Sequence, residues 1–340
     1  MARIPLKSFI WLPISFILAL APVAKAQEPE AAAPPATKPW FVDDEKLFDD
    51  FMAKLKGFAK DGKCLANDRL IAKLKSGTKA KIVPSKPGDK VLSPDEIYKT
   101  ALPSVFIIGS VHKSKDKEKE EEWRDGLYAT AWVAAADGVL VTNWHVFEDL
   151  EEGEVFGAVD YKGNVYPVID FLGGDKVADV AIMKIDAKGL KPLPLADTYP
   201  EIGSWVGVLG HPGDNYFVFT QGFVTRYSTN KNDDGKRERW MGLTAEYAGG
   251  SSGSPVLNKH GAVVGMAALT LTIDGSPGAA IPNRRGLLSG EPPAKAPPPR
   301  EKPDPKDVPK LEQKPGAGSS VQMILKMAVP GPVILKSFAK

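Results

Sequence analysis

Between residues 104 and 266 the sequence changes character every few residues, as short runs of β-branched and apolar side chains are broken by turn-forming pairs. Ser104–Ile108, Ala129–Ala134, Val139–Thr142, Val180–Ile185, Trp205–Leu209, Tyr216–Phe219, Val256–Leu257 and Ala262–Met266 each read as a strand. Asp137-Gly138 and Gly173-Gly174-Asp175 read as turns between them. Many short strands joined by Gly-rich turns restrict the chain to all-β packing, as a barrel or a sandwich. No self-similarity with a period of about 20–50 residues points instead to a solenoid or propeller. At 340 residues, 43% hydrophobic and 25% charged, the chain is long enough for one good-sized core with smaller appendages. A net charge of +2, from 44 basic and 42 acidic side chains, offers no broad electrostatic reason to expect nucleic acid or an anionic membrane as partner.

The flanking segments differ from this rhythm. Arg3 and Lys7 precede an apolar run from Phe9 to Ala21, and Ala24-Lys25-Ala26 has the small-x-small pattern of a signal-peptidase site. Residues 1–26 therefore read as a signal peptide, cleaved before Gln27, for a periplasmic or secreted protein. The competing reading is a membrane anchor, and the run is short for a span of about 20 residues. No stable membrane span is expected after cleavage. Residues 27–40 are an Ala/Pro-rich linker. Over 41–92 a helical segment is expected, since Leu47, Phe48, Phe51, Met52, Leu55 and Phe58 recur at helical steps after Asp43 or Asp44 as N-cap. It reads as a hairpin packed on the main domain, with docking or oligomerisation as the alternative.

The main domain is expected over 93–290, opened by a short helix with Ser93 as N-cap and Pro94 at its first position. Lys113 to Arg124 is a mixed charge run that reads as a solvated loop. Residues 291–318 hold nine of the 30 prolines and no aromatic residue, the composition of an extended linker without a core of its own. The apolar tail, 319–340, is expected to add a strand or to dock on a partner. Cys64 is the only cysteine, so no intramolecular disulfide forms even in an oxidising compartment, and it reads as a small buried hydrophobe.

Three separated motifs supply what acyl transfer by a serine needs: a hydroxyl, a base that titrates near neutrality, and a carboxylate to orient that base. His145 follows the strand that ends in Thr142-Asn143. Asp179 stands immediately before the apolar strand Val180–Ile185. Ser252 lies in Gly249-Gly250-Ser251-Ser252-Gly253-Ser254-Pro255-Val256, the most specific signal of the three. Its glycines permit a tight turn that aims the amides of Gly250 and Ser252 at one point, where they form an oxyanion hole. Ser251 and Ser254 compete for the nucleophile's role, but the offsets of Gly253 and Pro255 fit Ser252. His112, His211 and His260 show no metal-ligand spacing and read as loop histidines; no metal or cofactor is expected.

Thr142-Asn143-Trp144-His145-Val146, Asp179 through Ile185 and Gly250 through Val256 together resemble the trypsin-like serine protease superfamily, and within it the bacterial HtrA (Deg) branch. The order His, Asp, Ser is that of the chymotrypsin group. The resemblance implies two six-stranded antiparallel β-barrels with the site between them, nucleophile Ser252, base His145 and orienting acid Asp179. It implies polypeptide substrates and is compatible with an oligomer. It also puts Glu246, six residues before Ser252, at the floor of the primary specificity pocket, with Ala267, Ala268 and Leu269 as a wall; a carboxylate there favours Lys or Arg at P1, the residue whose carbonyl is attacked. The sequence departs from the family at Ser251, usually Asn, at Ser254, more commonly Gly, and at Ala129-Thr130-Ala131-Trp132-Val133, where a Gly-Ser-Gly type of opening is usual. With a low-complexity linker and about 22 residues after it, no PDZ domain of the kind many such proteins carry is expected. A serine endopeptidase acting on exported proteins is the leading expectation. A catalytically silent trypsin-fold module that binds peptides, and a Pro-rich envelope scaffold, are the alternatives.

Overall fold

The computed structural model describes residues 39–114, 123–232, 234–274 and 321–339. The expected signal peptide, nearly all of the Ala/Pro-rich linker, the centre of the charge run and the Pro-rich segment lie outside them. Val42–Lys340 forms one compact unit.

Two helices come first, α1 (Asp44–Lys60) and α2 (Asn67–Ser76). Asp43 caps α1 by accepting from the Lys46 amide at 3.1 Å, as an acceptor at a helix start should. The apolar stripe of α1 buries Phe51, Met52 and Leu55. These side chains lie against Gly109 and Gly157, where an added Cβ would meet Phe51, Met52 or Leu55 within 2.7 Å, so the helix seats where the strands lack side chains. Replacing the fully buried Leu55 by Ala is expected to cost about 2–5 kcal/mol, read as a lower denaturation midpoint at unchanged slope.

A third helix, α3 (Pro94–Ala101), is closed by a capping box in which Glu96 accepts from the Ser93 amide at 2.8 Å. Six strands follow: β1 (Val105–Lys113), β2 (Trp123–Ala135), β3 (Val139–Thr142), β4 (Val155–Val159), β5 (Val165–Asp175) and β6 (Val180–Ile185). They close antiparallel in the order β1-β2-β3-β6-β5-β4. Alternate side chains fill the barrel, among them Phe106, Ile108, Leu140, Phe171 and Met183, as a period of two requires.

The second barrel is built from β7 (Trp205–Gly210), β8 (Val218–Lys231), β9 (Arg237–Leu243), β10 (Pro255–Leu257), β11 (Val263–Asp274) and β12 (Val321–Pro330), closed as β10-β11-β12-β9-β8-β7. Val206, Val208, Met241, Val256, Val264 and Ala328 pack inside it. A continuous apolar seam containing Trp132 and Val141 from the first barrel and Leu209, Leu257 and Met266 from the second joins the two. This is a trypsin-like fold.

Three expectations change. The second barrel does not end by residue 290: β12 comes from the apolar tail and pairs with β11 on one side and β9 on the other, ahead of a short helix, α4 (Gly331–Ile334). The strand expected at Tyr216–Phe219 starts later, because Phe217 has φ +59° and gives its amide to His211 Nδ1 at 3.1 Å, so the chain is still turning there. Strands β4, β5 and β9 were not expected; β5 carries Pro167 and two register shifts, and β9 alternates buried residues with arginines. No helix among the described residues is long and apolar enough to cross a membrane.

Candidate active site

His145 follows β3 in a single helical turn whose other residues, Trp144, Val146 and Phe147, are buried. Trp144 and Phe147 meet Phe171 edge-on at 5.7 and 5.6 Å, which fixes the turn and leaves the imidazole as the side chain that faces outward from it. Asp179 ends a turn organised by Asp175, whose Oδ1 accepts from the amides of Val177 and Ala178. Asp179 itself has φ +55°, a left-handed conformation that Asp tolerates better than most residues.

These loops bring the two together. His145 Nδ1 lies 3.1 and 3.0 Å from the two carboxylate oxygens of Asp179, and Nε2 lies 2.9 Å from Ser252 Oγ. An ionised carboxylate only accepts, so Nδ1 carries the proton and Nε2 is left as the acceptor facing the serine. Ser252 Oγ is also 3.3 Å from the Ala268 carbonyl. Its single proton goes to one or the other. Burial works to lower the His145 pKa, but the charge of Asp179 and its hydrogen bond, with a smaller contribution from Glu148, outweigh it and raise the value above that of a free histidine. The chemistry available is proton removal from Ser252 by Nε2, with the imidazolium so formed held by Asp179.

The turn around Ser252 depends on backbone approaches that only glycine allows. Gly253 has φ +90°, and a Cβ there would fall 1.9 Å from the Thr130 carbonyl. Gly250 has φ +87°, and its Cβ would meet the His211 carbonyl at 2.4 Å and the Tyr128 ring at 2.6 Å. Among the described residues neither the Gly250 nor the Ser252 amide donates to a protein acceptor, the condition for a pair that is to receive an oxyanion.

The departures from the family turn out to be compatible with this turn. Ser251 and Ser254 are buried, 1% and 0% exposed, and neither hydroxyl has a partner among the described residues, which sets both apart from Ser252. Ser254 fits because position 210 is glycine; a Cβ there would lie 1.9 Å from Ser254 Oγ. Thr130, from the unusual Ala129-Thr130-Ala131 opening, clamps the turn from the first barrel. Its amide donates to the Ser252 carbonyl at 2.8 Å and its hydroxyl to the Gly250 carbonyl at 2.9 Å.

Asn143 has a positioning role that its place in the motif does not reveal. It is fully buried, and its Nδ2 donates to both the carbonyl and Oδ2 of Asp179 at 3.0 Å, while the His145 amide donates to Oδ1. The carboxylate is thus held from two sides. An Asn two residues before the candidate base was the available signal.

The residues expected at the pocket, Ala267, Ala268 and Glu246, each bond within the second barrel. Ala267 ties β11 to the serine turn, accepting from the Gly253 amide and donating to the Ser254 carbonyl, and the Ala268 carbonyl lies within reach of the Ser252 hydroxyl. Glu246 does not stand as a free carboxylate at a pocket floor: Lys326 Nζ lies 3.1 Å from its Oε2. A Lys or Arg side chain drawn to Glu246 would meet the Lys326 ammonium beside it. His211, in the loop before Pro212, is fully buried and pushed down to about 3 by desolvation, so it is neutral and structural. Cys64 is half-buried, packed on the central seam, and its thiol is pushed up to about 12 by burial, which removes thiolate reactivity.

Residues 129–266 match the family described as Trypsin-like peptidase domain. With two closed barrels and a histidine, aspartate and serine converging between them, the chain carries a trypsin-like serine peptidase domain. It is similar to the probable periplasmic serine endoprotease DegP-like of Chlamydia muridarum, 30% identical over 166 residues that make up 48% of this chain and 32% of the relative. The serine endoprotease DegS of Escherichia coli K12 is 28% identical over 142 residues, 39% of this chain and 37% of that protein. The chain spans about a third of the length of these curated relatives. The crystal structure of a serine endoprotease from Yersinia pestis aligns over 53% of this chain and 59% of that chain at 22% identity and a TM-score of 0.41, too loosely to carry an argument.

Proposed function

We propose that this protein is an active serine endopeptidase that cleaves polypeptides in an exported compartment, with Ser252 as nucleophile, His145 as general base and Asp179 as the acid that orients it. The observation that carries the reading is the 2.9 Å approach of Ser252 Oγ to His145 Nε2 while Nδ1 of the same ring faces Asp179. Ser252 Oγ attacks the scissile carbonyl and its proton passes to Nε2. The oxyanion is received by the amides of Gly250 and Ser252. His145 then gives the proton to the leaving amine, and water repeats the sequence on the acyl-enzyme.

The exported location rests on the basic and apolar pattern of residues 1–26 and on the word periplasmic in the name of the Chlamydia relative. The experiment is labelling of the folded protein with a fluorophosphonate probe, followed by digestion and mass spectrometry. The adduct is expected on Ser252 and on neither Ser251 nor Ser254. A folded protein that takes up no probe would reduce the domain to a peptide-binding module and sink the proposal.

A further inference from the structure

Lys326 is a lysine in an unusual place. It sits in the middle of β12, its side chain is 5% exposed, and its strand neighbours are Thr270 on β11 and Leu243 on β9. A buried ammonium needs partners. Its partners are the Tyr247 carbonyl at 2.5 Å, Glu246 Oε2 at 3.1 Å and the face of the Tyr247 ring, whose centroid is 5.5 Å away.

Its position relative to the nucleophile follows from the register. Ala268, whose carbonyl is 3.3 Å from Ser252 Oγ, stands at a register shift in β11 two residues before Thr270, within about 7 Å along the strand. Tyr247, which takes the ammonium on its carbonyl, lies in the segment that leads directly into Ser252. The Tyr247 hydroxyl locks this corner by donating to the Met327 carbonyl at 2.7 Å. Three segments, Glu246–Ser252, Ala268–Thr270 and Leu325–Met327, therefore converge beside the nucleophile, and the charge anchored where they meet is positive.

The two members of the ion pair are not equivalent. Glu246 is 73% exposed on its side chain and can turn to water with little loss, because an ion pair open to solvent is weak. Lys326 has no such route. A carboxylate brought in by a substrate takes the place of the Glu246 carboxylate on Nζ and leaves Glu246 solvated.

Resting on the peptidase reading above, we propose that Lys326 is a specificity-determining residue and that the enzyme selects substrates with an acidic side chain, glutamate foremost, at P1. The test uses internally quenched peptides that differ only at P1 (Glu, Asp, Ala, Val or Lys) with the full-length protein. Glu is expected to be cleaved fastest. Lys326→Met is expected to lower kcat/KM for the Glu peptide about 100-fold, the loss of a charge-assisted bond in a dry site, and that for the Ala peptide only a few-fold. Glu246→Gln, on the exposed partner, is expected to raise kcat/KM for the Glu peptide several-fold by removing its competitor, which keeps the proposal testable if Lys326→Met does not fold. A wild-type preference for Val or Lys, or a Glu246→Gln variant that cleaves the Glu peptide no faster, overturns it. Fluorophosphonate uptake does not depend on P1: a preparation that labels at Ser252 yet shows no acidic preference refutes this inference alone, whereas one that does not label refutes the peptidase reading as well.

Discussion

Ser252→Ala is expected to lower kcat by about 10⁶-fold while leaving KM for a peptide substrate within a few-fold of the native value. The reason is local. The backbone that shapes the turn is held by glycines at 250 and 253 and by the Thr130 bonds, none of which involves the Ser252 side chain. Removing Oγ deletes the nucleophile and its hydrogen bond to His145 but leaves the two amides and the pocket in place. A matched loss of activity in Ser251→Ala or Ser254→Ala with retained stability would show that the nucleophile had been misassigned. Steady-state kinetics with one quenched peptide, alongside thermal unfolding, measures both.

Asp179→Asn is expected to lower kcat about 10⁴-fold. An amide in place of the carboxylate can present its NH₂ to His145 Nδ1 and so favour the wrong tautomer, with the proton on Nε2 and no acceptor for the serine. The pH profile gives a second readout. Activity needs neutral His145, and its raised pKa puts the acidic limb of kcat/KM above the ordinary histidine value of about 6.5. In Asp179→Asn only burial and the minor influence of Glu148 remain, burial being the larger, so the limb moves to lower pH. The same linkage acts on stability. Protonated His145 favours the folded state below the unfolded pKa, and that contribution is lost as pH rises through the folded value. An acidic limb that stays in place in Asp179→Asn would separate Asp179 from the base.

The parts of this site that could be read from sequence are those whose chemistry is local. The serine turn is specified by its own glycines, and α1 and α3 by apolar spacing and caps within one segment. His145 and Asp179 were readable only as members of a set, since each follows or precedes a strand as many structural residues do. Asn143, Thr130 and Lys326 escaped because their roles exist only across elements: 36 residues separate Asn143 from the carboxylate it holds, and 120 separate Thr130 from the Gly250 carbonyl. Lys326 lay hidden for a further reason. It follows a proline-rich stretch that breaks every periodic pattern, so the apolar residues after it read as either a strand or a docking segment, with nothing local to say that they complete a barrel.

That arrangement has a consequence for the order in which the molecule is made. β12 inserts between β11 and β9, and its pairing with Leu243 can form only after the whole intervening chain has left the ribosome. Long-range pairing of this kind is slow and leaves strand edges open in the meantime. The histidine, aspartate and serine are all translated before residue 321, whereas Lys326 comes last of the site residues. A chain interrupted anywhere between 275 and 320 would own its nucleophile and base yet lack both the strand that shuts the second barrel and the cation that chooses the substrate.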